Sequence, residues 1–330
     1  MHQVLGRASL ANGDRVEIVR VEAPSAEFRE AILNILAHKG ADWQVHLREA
    51  LDGRTDALET RWYLAVTGGH AVANAMTVER HGVGILGHVY TKPDYRQQGL
   101  CKAVLTCLMD DFRSRGGRAL LLGTGYESVA YRIYESIGFQ SLRGGFMQYL
   151  STDQQSFDAG WFGPGDAVVS PARWEHWPLV SMLAARTGIA APRSVEWGLE
   201  DIGNLEHSYC RFMGQVLDGE ASGTVAVTHA GAVVACATRT PLCIGSSCHA
   251  WPGAWLVDAF AHPLHGYKME LTLGALEPRP GKHLALVPVA DSAKMTAFLN
   301  NGFSLEGTSR GLALQGAIRA DVAVLGRLCE

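Results

Sequence analysis

Residues 15–24, RVEIVRVEAP, alternate apolar and polar positions with the period of a half-buried strand. Ser25 follows, then an apolar-periodic stretch to His38 with Glu27 and Glu30 in its opening turns, which predicts a capped helix. A second helical stretch is expected from about Asp42 to Leu58. RWYLAVTGG and HAVANAMTVERHG predict two strands joined by a Gly-Gly turn. GILGHVYT predicts a strand ending at Pro93, and Gly99 to Arg115 a helix closed by Gly116 and Gly117. ALLLGT predicts a short buried strand, Ser128 to Ile137 a helix stopped by Gly138, and GFMQYL a strand that closes the unit near Leu150.

The polar, Gly-rich segment STDQQSFDAGWFGPGD reads as a linker. After it the same order begins again. DAVVS predicts a strand, Trp174–Thr187 and Asp201–Leu217 predict helices, and TVAVTHAG and AVVACATRT predict strands around a Gly turn. AWLVDAFA is a strand ending at Pro263, Tyr267–Leu276 a helix, HLALVPVA a strand, Ser292–Asn300 a helix and GLALQG a final strand. This is an internal repeat. YESVAYRIYESIGF and ADSAKMTAFLNNGF end at Phe139 and Phe303, 164 residues apart, while Pro93 and Pro263 are 170 apart. Two similar offsets imply one architecture used twice.

Composition agrees with two domains. The chain has 330 residues, 47% hydrophobic and 19% charged, enough for two separate cores. It has no apolar run long enough to cross a bilayer and no apolar leader at its start, so a cytoplasmic location and no membrane partner are expected. A net charge of −4 argues against a dedicated nucleic-acid binder. The seven cysteines are scattered without a CxxC pair. Cys243 and Cys248 bracket a short turn and could close a small loop, but the favoured reading is of reduced, buried thiols. The histidines show no metal-binding spacing, so no metal is expected.

The stretch VYTKPDYRQQGLCKAVL carries the chemistry. A strand ends at Pro93 and a helix opens around Gly99. The first N–H groups of that helix lack intrahelical partners and carry partial positive charge, which suits a diphosphate. Gly99 lets backbone approach a ligand where a Cβ would obstruct it. Arg96 and Lys102 add cationic charge at the same end. Lys102 opposes the helix dipole, which is reasonable if an anion sits there. Thirty-five residues beyond Gly99 comes Tyr134, in YRIYESIGF.

Together these features resemble the GNAT superfamily of N-acetyltransferases. Its pattern is a strand, then R/Q-x-x-G-x-G/A opening a helix, then a short strand and a helix with a Tyr shortly before Gly-Phe. Here those positions read Arg96, Gln97, Gln98, Gly99, Leu100 and Cys101, followed by Tyr134, Gly138 and Phe139. Cys101 replaces the usual small residue, and Glu127 stands where the family often has Asn. The resemblance covers the first domain, and its topology covers the second. It implies an α/β fold of two tandem GNAT-like domains, each a mixed, splayed β-sheet flanked by helices. Residues 1–150 would be the catalytic domain with the acyl-CoA site, and 151–330 a degenerate copy that supports the fold and walls the acceptor pocket.

The resemblance also implies an acyl-CoA-dependent, most simply acetyl-CoA-dependent, N-acyltransferase. Backbone groups of Val89, Tyr90 and Thr91 would bond the pantetheine and polarise the thioester. The loop from Arg96 to Lys102 would hold the pyrophosphate, with Glu127, Ser128 and Tyr131 alongside. An amine would attack directly, and Tyr134 would protonate the departing thiolate. Glu79 and His88 are the candidate bases, and Trp43 and His46 are expected at the acceptor. The expected acceptor is a small-molecule amine, as in two-domain enzymes that modify metabolites or antibiotics. A mycothiol-synthase-like enzyme, a peptide N-terminal acetyltransferase and a non-catalytic acyl-CoA sensor stay open, as does a homodimer.

Comparing the copies, Arg96 corresponds to Gly266 and Gly99 to Met269, counting from the prolines; Tyr134 corresponds to Phe298, counting from Gly-Phe. Met269 would crowd a diphosphate and Glu270 would repel one. One working site is therefore expected, in the first domain. Six of the eight tryptophans, Trp161, Trp174, Trp177, Trp197, Trp251 and Trp255, lie in the second; the first has Trp43 and Trp62.

Overall fold

The computed structural model describes residues 2–10, 13, 15–186, 205–244, 249–315 and 318–330. Contacts divide the chain into two compact units, Met1–Gln154 and Gln155–Glu330.

The first unit runs β1 (His2–Ser9), β2 (Arg15–Glu22), α1 (Arg29–Ile35), α2 (Ala41–Leu51), β3 (Glu59–Thr67), β4 (His70–Arg80), β5 (Val83–Thr91), α3 (Leu100–Ser114), β6 (Ala119–Gly123), α4 (Val129–Ser136), β7 (Gln140–Arg143) and β8 (Phe146–Leu150). Its sheet has the order β1-β2-β3-β4-β5-β6-β8-β7. The β5–β6 pair is parallel, and it joins only Val83–Ile85 to Ala119–Leu121. A parallel pair needs a crossover, and α3 supplies it. The helix buries Leu100, Val104, Leu105, Leu108, Met109 and Phe112, a stripe at helical spacing. That stripe packs on Tyr63, Ala65, Ala73, Ala75 and Leu86, with Tyr131, Tyr134 and Phe139 in the same cluster. Each large apolar side chain so buried contributes about 1.5–3 kcal/mol. Gly117 allows the exit from α3, because a Cβ there would lie 2.4 Å from the Phe112 ring.

The second unit contains α5 (Gln154–Trp161), whose first residue is the last of unit one, then β9 (Ala167–Pro171), α6 (Trp177–Arg186), α7 (Leu205–Leu217), β10 (Ser222–Thr228), β11 (Val233–Ile244), β12 (His249–Ala261), α8 (Tyr267–Gly274), β13 (Gly281–Pro288), α9 (Ser292–Asn300), β14 (Ser304–Gln315) and β15 (Ile318–Cys329). Its order, β14-β15-β13-β12-β11-β10-β9, repeats that of β2 to β8, with β1 the added strand of unit one. The parallel pair is again three residues long, Ala254–Leu256 on Lys282–Leu284. The fold class is thus two mixed α/β units, each with a splayed sheet.

Several elements depart from the sequence pattern. The stretch expected to be a linker contains α5, which buries Phe157 and Trp161. His2–Ser9 forms an edge strand, although it lacks clear alternation. α2 ends at Leu51 rather than Leu58, because Gly53 turns the chain at φ +71°. Trp174–His176 is a 3-10 turn ahead of α6. The closing segment is a long hairpin, β14–β15, rather than one strand. Thr187, Trp197, the first four residues of the Asp201 helix, Gly316 and Cys248 lie outside the described residues.

Candidate active site

The register of β4 against β5 creates the first feature. Asn74 faces Tyr90 and Met76 faces Gly87, so Ala75 has both His88 and Val89 opposite it. This is a β-bulge. His88 takes φ +53°, a left-handed conformation that a non-glycine residue holds only when its surroundings impose it. Asn74 Nδ2 donates to the His88 carbonyl at 2.8 Å. Beyond Ile85 the parallel ladder with β6 has ended, and a cavity of about 200 Å³ opens. Val89, Tyr90, Thr91, Cys101, Leu105, Ala130, Ile133 and Tyr134 line it. Five sequence-predicted residues thereby meet. Tyr134 is 7% exposed and packs edge-on to Phe139.

The second feature is the start of α3. Pro93–Tyr95 forms a 3-10 turn, then Gln97 and Gly99 take φ +58° and +77°. Gly99 is the N-cap and offers no side chain. By contrast, Ser128 Oγ caps α4 through the Tyr131 N–H, and Asp291 caps α9 through the Lys294 N–H. A Cβ at Gly99 would meet nothing within 4 Å, so the uncapped helix end faces open space. Arg96 Nε donates to the Thr91 carbonyl and Gln98 Nε2 to the Asp94 carbonyl, each at 3.1 Å; these side chains brace the loop. Leu100 is buried in the core, while Lys102 and Glu127 are exposed. Glu127 takes φ +56°, and Tyr131 packs in the α3 cluster beside Tyr126.

The opposite face of the bulge meets α2. Val89 packs toward the α3 cluster, whereas the His88 ring lies 4.8 Å from Trp43, edge to face. His38 stacks obliquely on Tyr90 at 4.2 Å. His88 Nε2 is buried and has no hydrogen-bond partner. His46, expected at the acceptor, is instead fully buried and 3.3 Å from Thr60 Oγ1. Burial holds its pKa down at about 3. Burial also holds His88 well below 6.5, aided by Lys39, His46 and His38.

Both rings titrate near 6.5 when unfolded but stay neutral far lower when folded. Their stabilisation of the fold is complete above pH 6.5 and is lost as pH falls, by up to about 1.4 kcal/mol per pH unit per ring. The melting temperature should drop steadily between pH 6.5 and 4.5, and less steeply in His46→Leu. A wild-type curve flat across that window would contradict this assignment.

Glu79 is placed elsewhere. It is 2% exposed and receives Arg115 Nη1 and Nη2 at 2.8 and 2.9 Å and Thr77 Oγ1 at 2.6 Å, with Arg61 at 3.3 Å. Arg115 also binds Asp111, which accepts from Tyr63 Oη at 2.7 Å and pairs with Arg20. Burial pushes the Asp111 carboxyl up, but the Tyr63 hydroxyl and the guanidiniums outweigh it and hold it low. Glu79 pairs with Gly84, five residues before Val89, so it lies about 16 Å along the strand from the bulge. It also points to the α3 side, away from His88. The spacing of charges along β4 does not reveal this, because the strand's direction relative to the splay is a tertiary property.

The second unit lacks the bulge and the left-handed helix-start glycine, although α8 too opens on a glycine without a side-chain cap, Gly266; Met269, expected at the helix start, is buried in the core instead. β11 and β12 run in register from Arg239–Val257 to Ala235–Ala261, without a bulge. Asp258 stands at the His88 position, and its own Oδ1 accepts the N–H of Ala259, the counterpart of Val89. Lys294, the counterpart of Ala130, sends its ammonium to Asp258 at 2.6 Å, and both are buried. Gly266 is right-handed at φ −51°, and Lys268 Nζ donates to the Ala167 carbonyl at 2.9 Å.

Among the described residues no cluster of three His, Cys, Asp or Glu could hold a metal, and no helix is long and apolar enough to cross a membrane. Residues 66–147 match the FR47-like protein family. No curated protein matches the chain by sequence. Similar solved structures include a ribosomal-protein-alanine N-acetyltransferase from Brucella melitensis (14% identity, 49% of this chain and 99% of that one, TM-score 0.39). Another is a GNAT superfamily phosphinothricin acetyltransferase from Sinorhizobium meliloti in complex with AcCoA (15% identity, 50% and 89%, TM-score 0.38). A third is an N-acetyltransferase from Staphylococcus aureus Mu50 (14% identity, 50% and 99%, TM-score 0.38).

Proposed function

We infer that this chain, which carries two tandem GNAT-like domains, is an acetyl-CoA-dependent N-acetyltransferase of a small-molecule amine with its working site in the first domain. The observation that carries this reading is the convergence on one cavity of Tyr134 and the bulged strand, beside a helix end left uncapped. The residues fit an acyl-CoA, since Gly99 leaves open the space where a diphosphate would meet the first N–H groups of α3.

When bound, acetyl-CoA supplies the activated acyl group. The amides of α3 hold the pyrophosphate, and the strand Val89–Thr91 offers backbone groups to the pantetheine. The Val89 N–H donates to the thioester carbonyl oxygen and stabilises the negative charge that develops there. Tyr134 delivers its hydroxyl proton to the departing thiolate. Burial raises the Cys101 thiol, so it stays protonated and is a poor nucleophile, which favours direct attack by the amine. Of the two candidate bases, Glu79 is committed to Arg115 and Arg61, and burial disfavours the protonated form of His88, which makes it a weak acceptor for the amine's proton. Trp43 gives the acceptor an apolar wall.

In the second unit a buried Asp258–Lys294 ion pair stands at the positions of His88 and Ala130, and we assign that unit no acyl-CoA.

Acetyl-CoA should raise the melting temperature, because it binds only the folded state. A panel of amines with acetyl-CoA should then identify an acceptor that releases thiol. No thermal shift would refute the cofactor site. A shift without thiol release from any small amine or peptide would instead favour a sensor.

A further inference from the structure

Asn74 lies inside an apolar run of β4 and is 1% exposed. Ala73 and Ala75 belong to the cluster under α3, so strand alternation turns Asn74 to the other face, that of His88 and Trp43. A buried carboxamide is costly unless it is bonded. Its Nδ2 bonds the His88 carbonyl, while its Oδ1 is buried without a partner. A position that needed only volume would be better served by an apolar residue such as the neighbouring Met76.

What the amide does here is hold one particular peptide unit. The His88 carbonyl and the Val89 N–H belong to the same peptide bond. That unit is planar and trans, so its C=O and N–H point in opposite directions. Anchoring the oxygen toward β4 aims the N–H away from β4, toward the side where the β5–β6 ladder has ended. A bulge residue at φ +53° is released from the regular ladder, so its orientation needs such an anchor. The donated bond also polarises the peptide and strengthens the N–H as a donor.

We propose that Asn74 is a positioning residue that aims and polarises the Val89 N–H toward the acyl carbonyl. This rests on the acetyl-CoA reading of the cavity. Asp matches Asn in shape but, when ionised, cannot donate to the His88 carbonyl; Leu removes the donor altogether.

The test is the carbon-13 resonance of [1-13C]acetyl-CoA bound to the full chain. Wild type should shift the carbonyl downfield on binding. Asn74→Leu should lose most of that displacement, and Asn74→Asp only at a pH high enough to ionise its buried carboxyl, while affinity for acetyl-CoA changes by less than about threefold. With an identified amine, kcat should fall about ten- to a hundredfold with little change in KM. Lowering the pH should restore the displacement in Asn74→Asp, because the protonated carboxyl donates again. An undiminished displacement in both variants would overturn the proposal. If neither variant folds, the Val89 amide resonance of wild type decides: it must move when acetyl-CoA binds, and a stationary signal overturns the proposal. Failure of wild type to bind acetyl-CoA would refute the cofactor reading itself. Binding with an unshifted carbonyl would refute only the Asn74–Val89 arrangement.

Discussion

Tyr134→Phe should lower turnover by about a hundred- to a thousandfold while acetyl-CoA binding stays within about a factor of three, the signature of a lost general acid. The ring lines the cavity and packs on Phe139, so removing only the hydroxyl leaves its apolar contacts in place. The leaving thiolate would then have to take its proton from water. Transition-state stabilisation disappears while ground-state binding persists. The measurement is thiol release under saturating acetyl-CoA, paired with calorimetry of cofactor binding. Unchanged turnover would remove Tyr134 from the chemistry. A parallel loss of binding would make it part of the cofactor wall instead.

Gly99→Glu should abolish the thermal shift given by acetyl-CoA, a loss of about a hundredfold or more in affinity, because two effects combine at the helix end. Glutamate must take φ +77°, which costs about 1 kcal/mol or more for a side-chain-bearing residue. Its carboxylate then occupies the space meant for the diphosphate and repels it. Gly99→Asn separates the two effects, since asparagine tolerates the left-handed conformation and is uncharged. It should keep a large part of the thermal shift. If Gly99→Glu still responds to acetyl-CoA as wild type does, the pyrophosphate does not sit at the start of α3.

The two residues behind these predictions were legible along the chain because their signals are local. A helix that opens on Gly after a Pro-closed strand, and one that stops at Gly-Phe, depend on capping and turn chemistry within a few residues. The repeat was legible for the same reason, since both copies reuse those stops. The second copy's loss of the phenol could be read directly from Phe298, whereas its helix start was misplaced by counting from the proline: α8 opens on Gly266, and Met269 packs in the core. Trp43 was expected only at the acceptor, and it is the structure that sets it against His88 at the bulge, while His46 proved to be a core residue against Thr60.

Sequence alone determined the order of most elements, the duplicated architecture, and the helix end and phenol that the cofactor reading needs, because each is written in contiguous residues. The tertiary structure decided the rest. The bulge at His88 exists only in the register between β4 and β5, so neither strand reveals it by itself. The anchoring role of Asn74 depends on that register, although a lone amide within HAVANAM was a signal that could have marked it. Glu79, a candidate base by sequence, is instead committed to Arg115, which α3 brings beside it. Periodicity reports which face a residue shares with its own neighbours in sequence. It carries no information about which strand lies alongside, or how far the two have slid.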